Sequence, residues 1–239
     1  MRTTALMSEG DAAVEVSVSD GVALVVLNRP DRRNAISGQL LRELREAYLR
    51  LDADRSVAAI VLTGRGKAFC AGIDLAELGD TDDGVSATFR GPVPPISKPT
   101  IGALNGDAIT GGLELALSCD LLIAAEHARF ADTHVRFGVV PEWGMLARLP
   151  QRIGVARALE MALSARFVTA SEALTWGLVN RVVTAEALRS TAIDLARMMA
   201  GHDERAVRHL LSGYRNLEAQ AGDCAWRIEQ EQAARWNQR

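Results

Sequence analysis

The segment ITGGLELALSCD, residues 109–120, places one carboxylate, Glu114, in an apolar run directly after the pair Gly111-Gly112. An ionised group among leucines loses hydration, and such burial raises the pKa of a carboxyl group toward neutrality. A carboxyl group with that pKa can accept and return protons, so the pattern fits general acid/base chemistry. An acidic residue in the first turn of a helix is also a common partner of the helix dipole. The spacing alone leaves both interpretations open.

Two glycine-bearing turns could supply backbone N–H groups that bind a ligand oxygen next to such an acid/base. One lies in GKAFCAGIDL, residues 66–75, and the other is Gly111-Gly112, ahead of the helix that carries Glu114. Glycine permits close approach and unusual backbone angles, and the first N–H groups of a helix have no intrahelical acceptor. Two N–H groups aimed at one oxygen form an oxyanion hole. The pattern therefore suits proton transfer next to a polarised carbonyl.

Strand and helix patterns alternate around these segments. They predict a hairpin at 14–28, strands at 56–64, 99–106 and 120–126, and helices at 37–54 and 112–120. From about residue 142 helical patterns dominate, at 155–165, 171–178, 185–200 and 204–216. Thr169 and Glu172 form a capping box for the second of these. The polar segment 79–99 predicts a loop, mobile and close to whatever the core binds. The alternation implies an α/β core with helices packed on sheets.

Composition narrows the class of protein. The net charge of −3, from 27 basic and 30 acidic residues, predicts no general attraction to nucleic acid or to an anionic membrane. The three cysteines, Cys70, Cys119 and Cys224, form no CxxC pair, which favours a reducing compartment over a disulfide framework or a zinc site. We see no signal peptide and no run of ~20 apolar residues, and therefore expect a cytoplasmic protein.

Five motifs resemble the crotonase, or enoyl-CoA hydratase/isomerase, superfamily. They are PDRRNAIS (30–37), AFCAGIDL (68–75), GGLELALSCDLLIAA (111–125), FADTHVRFGVVPEWG (130–144) and LVNRVV (178–183). Their order and intervals match the family pattern over about residues 20–200. The resemblance implies a spiral of ββα units at 1–190, followed by a helical region at 191–239 that mediates trimers, often paired into hexamers.

The resemblance also implies a ligand, an acyl-CoA thioester, whose enolate is stabilised in an oxyanion hole. The two amides would be those of Ile73 and Gly111. The residues implied to contact coenzyme A are Arg33, Ala35, Ala71, Gly72, Asp74 and Leu75. For Arg33 an exposed turn arginine is an equal alternative. Coenzyme A enters as part of the substrate, and neither a metal ion nor a further cofactor is implied.

The acid/base residues depart from the family pattern. Glu114 matches the first catalytic glutamate of the hydratases, but His134 stands where the second is expected. Histidine can move a proton near neutral pH, so His134 is either catalytic or a polar residue of the pocket wall. Glu142 stands where dienoyl-CoA isomerases carry an acid, and after Pro141 it is also typical of a helix start. Asp132 is interpreted as an isolated turn or strand-end acid.

Three functions follow from these residues. The first is hydration of a 2-enoyl-CoA, with Glu114 as the main acid/base and His134 or Glu142 assisting. The second is double-bond migration in an enoyl- or dienoyl-CoA by Glu114 and Glu142. The third is an acyl-CoA binding protein with little catalytic power, which keeps the oxyanion hole but lacks the second glutamate.

Overall fold

The computed structural model describes residues 12–74 and 90–238. The strands are β1 (Val14–Ser19), β2 (Val22–Leu27), β3 (Ala59–Gly64), β4 (Ala68–Cys70), β5 (Thr100–Leu104), β6 (Asp107–Ile109), β7 (Leu121–Ala125), β8 (Arg129–Ala131), β9 (Val168–Thr169) and β10 (Arg181–Val183). The α-helices are α1 (Gly38–Ala53), α2 (Gly111–Leu117), α3 (His134–Phe137), α4 (Met145–Ile153), α5 (Val155–Ser164), α6 (Ala170–Trp176), α7 (Ala185–Ala200) and α8 (Glu204–Trp236).

These strands form two sheets. The larger has six strands in the order β1-β2-β3-β5-β7-β10, and the smaller has four in the order β4-β6-β8-β9. Only β1 and β2 of the larger sheet pair antiparallel, joined at Asp20 and Gly21, which both have positive φ. Because the remaining pairs in that sheet are parallel, each strand must be followed by a crossover.

The crossovers repeat one pattern. β3 leads into β4, β5 leads into β6 and α2, and β7 leads into β8 and α3, so that successive units alternate between the two sheets. This repetition is the predicted spiral of ββα units. It sets β4, β6 and β8 side by side, and the segments that follow these three strands therefore meet at one place.

Apolar helix faces cover the larger sheet. Leu188, Ala192 and Ala196 of α7 are buried in one cluster with strand residues of β3 and β5. Their spacing of four residues places them on one face of the helix. Residue 190, where we predicted the domain boundary, lies inside this continuous helix.

The last helix is longer than the sequence predicted. The helical pattern at 204–216 is the first part of α8, which runs unbroken for 33 residues to Trp236. Residues 217–236 contain no proline and are rich in Ala, Glu, Gln and Arg, which are good helix formers. Gly222 allows close approach to α4, because a Cβ there would lie 2.8 Å from Nε2 of Gln151.

The ends of other predicted elements also differ from those in the structure. The predicted strand at 99–106 ends at Leu104 and is followed by the separate strand β6. The predicted loop at 79–99 falls partly outside the described residues. Its described part holds neither helix nor strand before β5. None of the helices within residues 12–74 and 90–238 combines the length and the apolar character of a membrane span.

Candidate active site

The start of α2 is fixed by a glycine and a strained residue. A Cβ on Gly112 would lie 2.1 Å from the carbonyl oxygen of Cys70, so only glycine lets α2 begin against β4. Thr110, just before the helix, has φ of 53°, which is unusual for a β-branched residue. Its N–H donates to Ala131 O at 2.8 Å and its hydroxyl contacts the hydroxyl of Thr133. Strand β8 and Thr133, which follows it, therefore hold this conformation in place.

The two amides predicted to form an oxyanion hole lie next to one another. A Cβ on Gly111 would be 3.6 Å from Ile73 N, and a Cβ on Gly72 would be 3.6 Å from Gly111 N. Ile36 pairs with the backbone on either side of Ile73, accepting from Asp74 N and donating to Gly72 O. Within the part of the chain that the structure describes, neither Ile73 N–H nor Gly111 N–H donates a hydrogen bond. Both donors thus remain available to a ligand oxygen.

Glu114 is buried at the N-terminal end of α4. Its side chain is 3% exposed, and its Oε1 accepts hydrogen bonds from Trp143 N at 3.0 Å and Met145 N at 3.3 Å. The pKa of Glu114 is raised to about 8, mainly by burial and also by the charges of Glu229 and Asp132, while His134 and the Trp143 N–H act in the opposite direction. The carboxyl group is therefore poised to gain or lose a proton near neutral pH.

His134 faces Glu114 and is held by Asp132. His134 Nε2 lies 3.8 Å from Glu114 Oε2, and His134 Nδ1 lies 2.6 Å from Asp132 Oδ1. Burial acts to lower the pKa of His134, but the hydrogen bond to Asp132 and the charge of Glu114 outweigh it, so the pKa is raised. Asp132 follows strand β8, as predicted for a strand-end acid. The prediction that it is isolated is wrong, because it contacts His134 Nδ1.

Glu142 lies apart from this pair. Its side chain is exposed, and its Oε1 accepts from Asn237 Nδ2 at 3.2 Å. Among the described residues, no hydrogen bond or ion pair joins it to Glu114 or His134. The following residue, Trp143, contacts Glu114 through its backbone N–H.

Sequence analysis missed Glu229, a second buried carboxylate at the same helix start. Glu229 lies on α8 and is 0% exposed, and its two oxygens accept from Gly144 N and Leu146 N, each at 2.6 Å. Gly222, Glu229 and Ala233 are the buried residues of α8, and their spacing of seven and four places them on one helix face. That spacing could have revealed Glu229, because an acid that shares a helix face with glycine and alanine is expected to be buried against another element.

A comparison of the sequence with models of protein families shows which family the chain belongs to. The model of the enoyl-CoA hydratase/isomerase family matches residues 17–233. The chain belongs to the enoyl-CoA hydratase/isomerase family. The predicted crotonase-type fold, and an enzyme of the hydratase or isomerase type, are thereby confirmed at the level of the family.

The similar proteins within the enoyl-CoA hydratase/isomerase family include hydratases and an isomerase. A probable enoyl-CoA hydratase from Rhizobium meliloti (strain 1021) is 42% identical over 190 residues, covering 77% of this chain and 74% of that protein. The crystal structure of an enoyl-CoA hydratase from Mycobacterium smegmatis is 40% identical with a TM-score of 0.89, covering 95% of this chain and 99% of the other. A monofunctional enoyl-CoA isomerase from M. smegmatis is 36% identical with a TM-score of 0.71, covering 85% and 94%.

The residues that the family resemblance implied for coenzyme A lie on two adjoining turns. Arg33 is exposed with φ of 50°, and its carbonyl accepts from Ala71 N at 3.0 Å, while Gly72 has φ of 99°. Asp74 forms an ion pair with Arg29 at 3.0 Å. The structure brings these turns together but leaves their role in binding a prediction. Ala35 lies on the first turn and is half-buried, and Leu75 falls outside the described residues.

This family member thus combines two kinds of chemistry at one place. Two unpaired amides can hold an oxygen that becomes negative, and a carboxyl group and an imidazole beside them can exchange protons. Among the described residues, no group of three His, Cys, Asp or Glu side chains could hold a metal ion.

Proposed function

We propose that this protein hydrates a 2-enoyl-CoA, with Glu114 and His134 as the acid/base pair and Ile73 N–H and Gly111 N–H as the oxyanion hole. The observation that carries the proposal is the buried contact between Glu114 Oε2 and His134 Nε2, at 3.8 Å, at the helix whose first amide is that of Gly111. Histidine thereby takes the place of the second glutamate of the family pattern.

The two amides would act on the thioester oxygen. As water adds to the β-carbon, negative charge develops on that oxygen in the enolate, and two fixed N–H donors stabilise it. Loss of one such donor typically costs about 2.7–4 kcal/mol of transition-state stabilisation. Because both donors belong to the backbone, they are already oriented before the substrate binds.

The proton steps then balance within the pair. Ionised Glu114 takes one proton from the attacking water, whose oxygen bonds to the β-carbon. Protonated His134 gives one proton to the α-carbon, and the enolate becomes the 3-hydroxyacyl thioester. Glu114 then returns its proton to His134 across their contact, which restores both groups for the next turnover. Asp132 favours this cycle because it stabilises the protonated imidazole.

Double-bond migration is the second candidate, and the isomerase from M. smegmatis among the similar structures favours it. In this reaction Glu114 would remove a proton from one carbon and a second group would deliver a proton to another. Our prediction assigned that group to Glu142, but its exposed side chain and its bond to Asn237 make His134 the better-placed donor. Hydration stays the leading proposal because the two more similar relatives reported above, from Rhizobium meliloti and M. smegmatis, carry the name enoyl-CoA hydratase.

A turnover panel tests these alternatives. The purified protein is incubated with 2-enoyl-, 3-enoyl- and dienoyl-CoA thioesters, and the products are resolved by mass and retention time. A gain of water that is lost in Glu114→Gln and His134→Gln but kept in Glu142→Gln supports hydration. An isomer of unchanged mass that is lost in Glu114→Gln supports the second candidate, and its loss in either His134→Gln or Glu142→Gln identifies the second proton donor. Tight binding of acyl-CoA with no turnover of any thioester contradicts both and indicates a binding protein.

The family resemblance further predicts a homotrimer or hexamer in the cytoplasm. Sedimentation equilibrium of the purified protein tests the assembly, and a monomer at micromolar concentration would contradict it.

A further inference from the structure

Two carboxylates from different helices share the N-terminal end of α4. Four consecutive amides, those of residues 143–146, alternate between them: the first and third donate to Glu114, and the second and fourth donate to Glu229. A helix start leaves these N–H groups without intrahelical acceptors and carries partial positive charge. The same short segment therefore fixes the positions of both side chains.

The burial and the hydrogen bonds of Glu229 distinguish it from a surface acid. Its carboxylate is fully buried, and both of its oxygens are bonded to backbone N–H groups. Three charged or titratable groups from other elements face it, Glu114 of α2, His134 of α3 and Arg148 of α4. Burial raises the pKa of Glu229, while the Leu146 and Gly144 amides and the Arg148 charge lower it.

We propose that Glu229 is a positioning residue for Glu114, which it orients through the shared amides of residues 143–146 and whose protonation it controls through its own charge. The inference rests on the proposed function, since it assigns a role in the proton chemistry of that site. It makes helix α8, which lies far from Glu114 along the chain, a part of the active site. Glu229 itself is not expected to touch the substrate.

The negative charge of Glu229 favours the protonated form of Glu114, as does that of Asp132. Replacing Glu229 with glutamine removes that charge and keeps the shape of the side chain. The pKa of Glu114 should then fall by about one unit. Glutamine can accept only through its single oxygen, so one of the four amides loses its partner and the orientation of Glu114 loosens.

The experiment compares Glu229→Gln with Glu231→Gln, an exposed glutamate on the same helix that pairs only weakly with Arg235. Glutamate labelled with ¹³C at the side-chain carboxyl reports each titration by NMR, and the signal of Glu114 is assigned by its absence in Glu114→Gln. In Glu229→Gln we expect a lower pKa of Glu114, an acid limb of kcat/KM shifted to lower pH, and a kcat about tenfold lower with KM little changed. Glu231→Gln should match the unmodified protein in all three.

The result that overturns the inference is a folded Glu229→Gln protein in which the pKa of Glu114 is unchanged. If that variant does not fold, Glu229→Asp decides: it keeps the charge but is one methylene shorter, so the segment of residues 143–146 should shift, and the amide NMR signals of Trp143 and Met145, which bond to Glu114, should move with it. Trp143 and Met145 amide signals that do not move in Glu229→Asp also overturn it. Because the NMR titration needs no substrate, it separates this inference from the proposed function, which fails if no enoyl-CoA is turned over.

Discussion

At the scale of the residue, the side chains of Asp132, His134 and Glu114 lie in a row, each within 3.8 Å of the next. Asp132 holds Nδ1 of His134, and Nε2 of His134 faces Glu114. Glu114 and His134 each have a raised pKa, and the two groups are close enough that their titrations are coupled. A bell-shaped dependence of kcat/KM on pH is expected, because the proposed mechanism needs ionised Glu114 and protonated His134 at once.

Asp132→Asn tests the role of the histidine partner. The hydrogen bond from Asp132 raises the pKa of His134, so its loss should lower that pKa and move the alkaline limb of kcat/KM to lower pH. Asp107→Asn, which removes a partly exposed ion pair with Arg129 on the neighbouring strand, is the matched control and should leave the limb in place. An alkaline limb that does not move in Asp132→Asn would show that His134 is not the acid.

Glu114→Gln should also change how stability depends on pH. The pKa of Glu114 rises from 4.5 to about 8 on folding, so the protonated form is favoured in the folded state. Its contribution to stability is complete below about pH 4.5 and is lost as pH rises toward 8. The free energy of unfolding should therefore fall by about 2–4 kcal/mol over this window in the unmodified protein, relative to Glu114→Gln.

Urea unfolding at several pH values measures this difference. Glu142→Gln, which changes an exposed carboxylate, should follow the unmodified protein throughout. Parallel curves for the unmodified protein and Glu114→Gln would mean that Glu114 is not buried with a raised pKa.

At the scale of the element, the start of α2 depends on the contact between Gly112 and β4. A Cβ at this position would overlap the carbonyl of Cys70, and both partners are backbone atoms that cannot move separately from their elements. Since Gly111 N and Glu114 belong to the same short helix, a shift of α2 displaces both. A substitution at position 112 is therefore expected to change stability and activity together.

Gly112→Ala should lower the free energy of unfolding by about 1–3 kcal/mol, as overpacking in a tight core does, and should lower kcat at least tenfold. Gly213→Ala is the control, because no atom lies within 4 Å of its Cβ and it sits exposed inside α8. That change should raise the free energy of unfolding by about 0.5–1 kcal/mol. Thermal unfolding and the turnover assay measure both, and a Gly112→Ala protein with unaltered stability and kcat would contradict the contact.

At the scale of the whole molecule, local patterns predicted most of the scaffold. The hairpin, α1 and the Thr169–Glu172 capping box depend on neighbours in sequence, and the structure contains them all. The ββα repeat was implied by the family resemblance, because the local patterns did not predict the short strands β4 and β6. The site was predictable where it depends on motifs, as for Glu114. The bond from Gly144 to Glu229 joins residues 85 positions apart, and no local pattern specifies that α8 continues far enough to make it. The Asp132–His134 contact was hidden for a different reason, since it depends on how the chain turns after β8.

The continuity of α8 has a practical consequence for anyone producing this protein. Trp236 ends the helix only about two turns beyond Glu229. A rigid fusion partner attached directly there could displace Glu229 and, with it, the amides of Gly144 and Leu146 that Glu229 binds. An affinity tag on this side therefore calls for a flexible spacer, and assays made with and without it would reveal any disturbance.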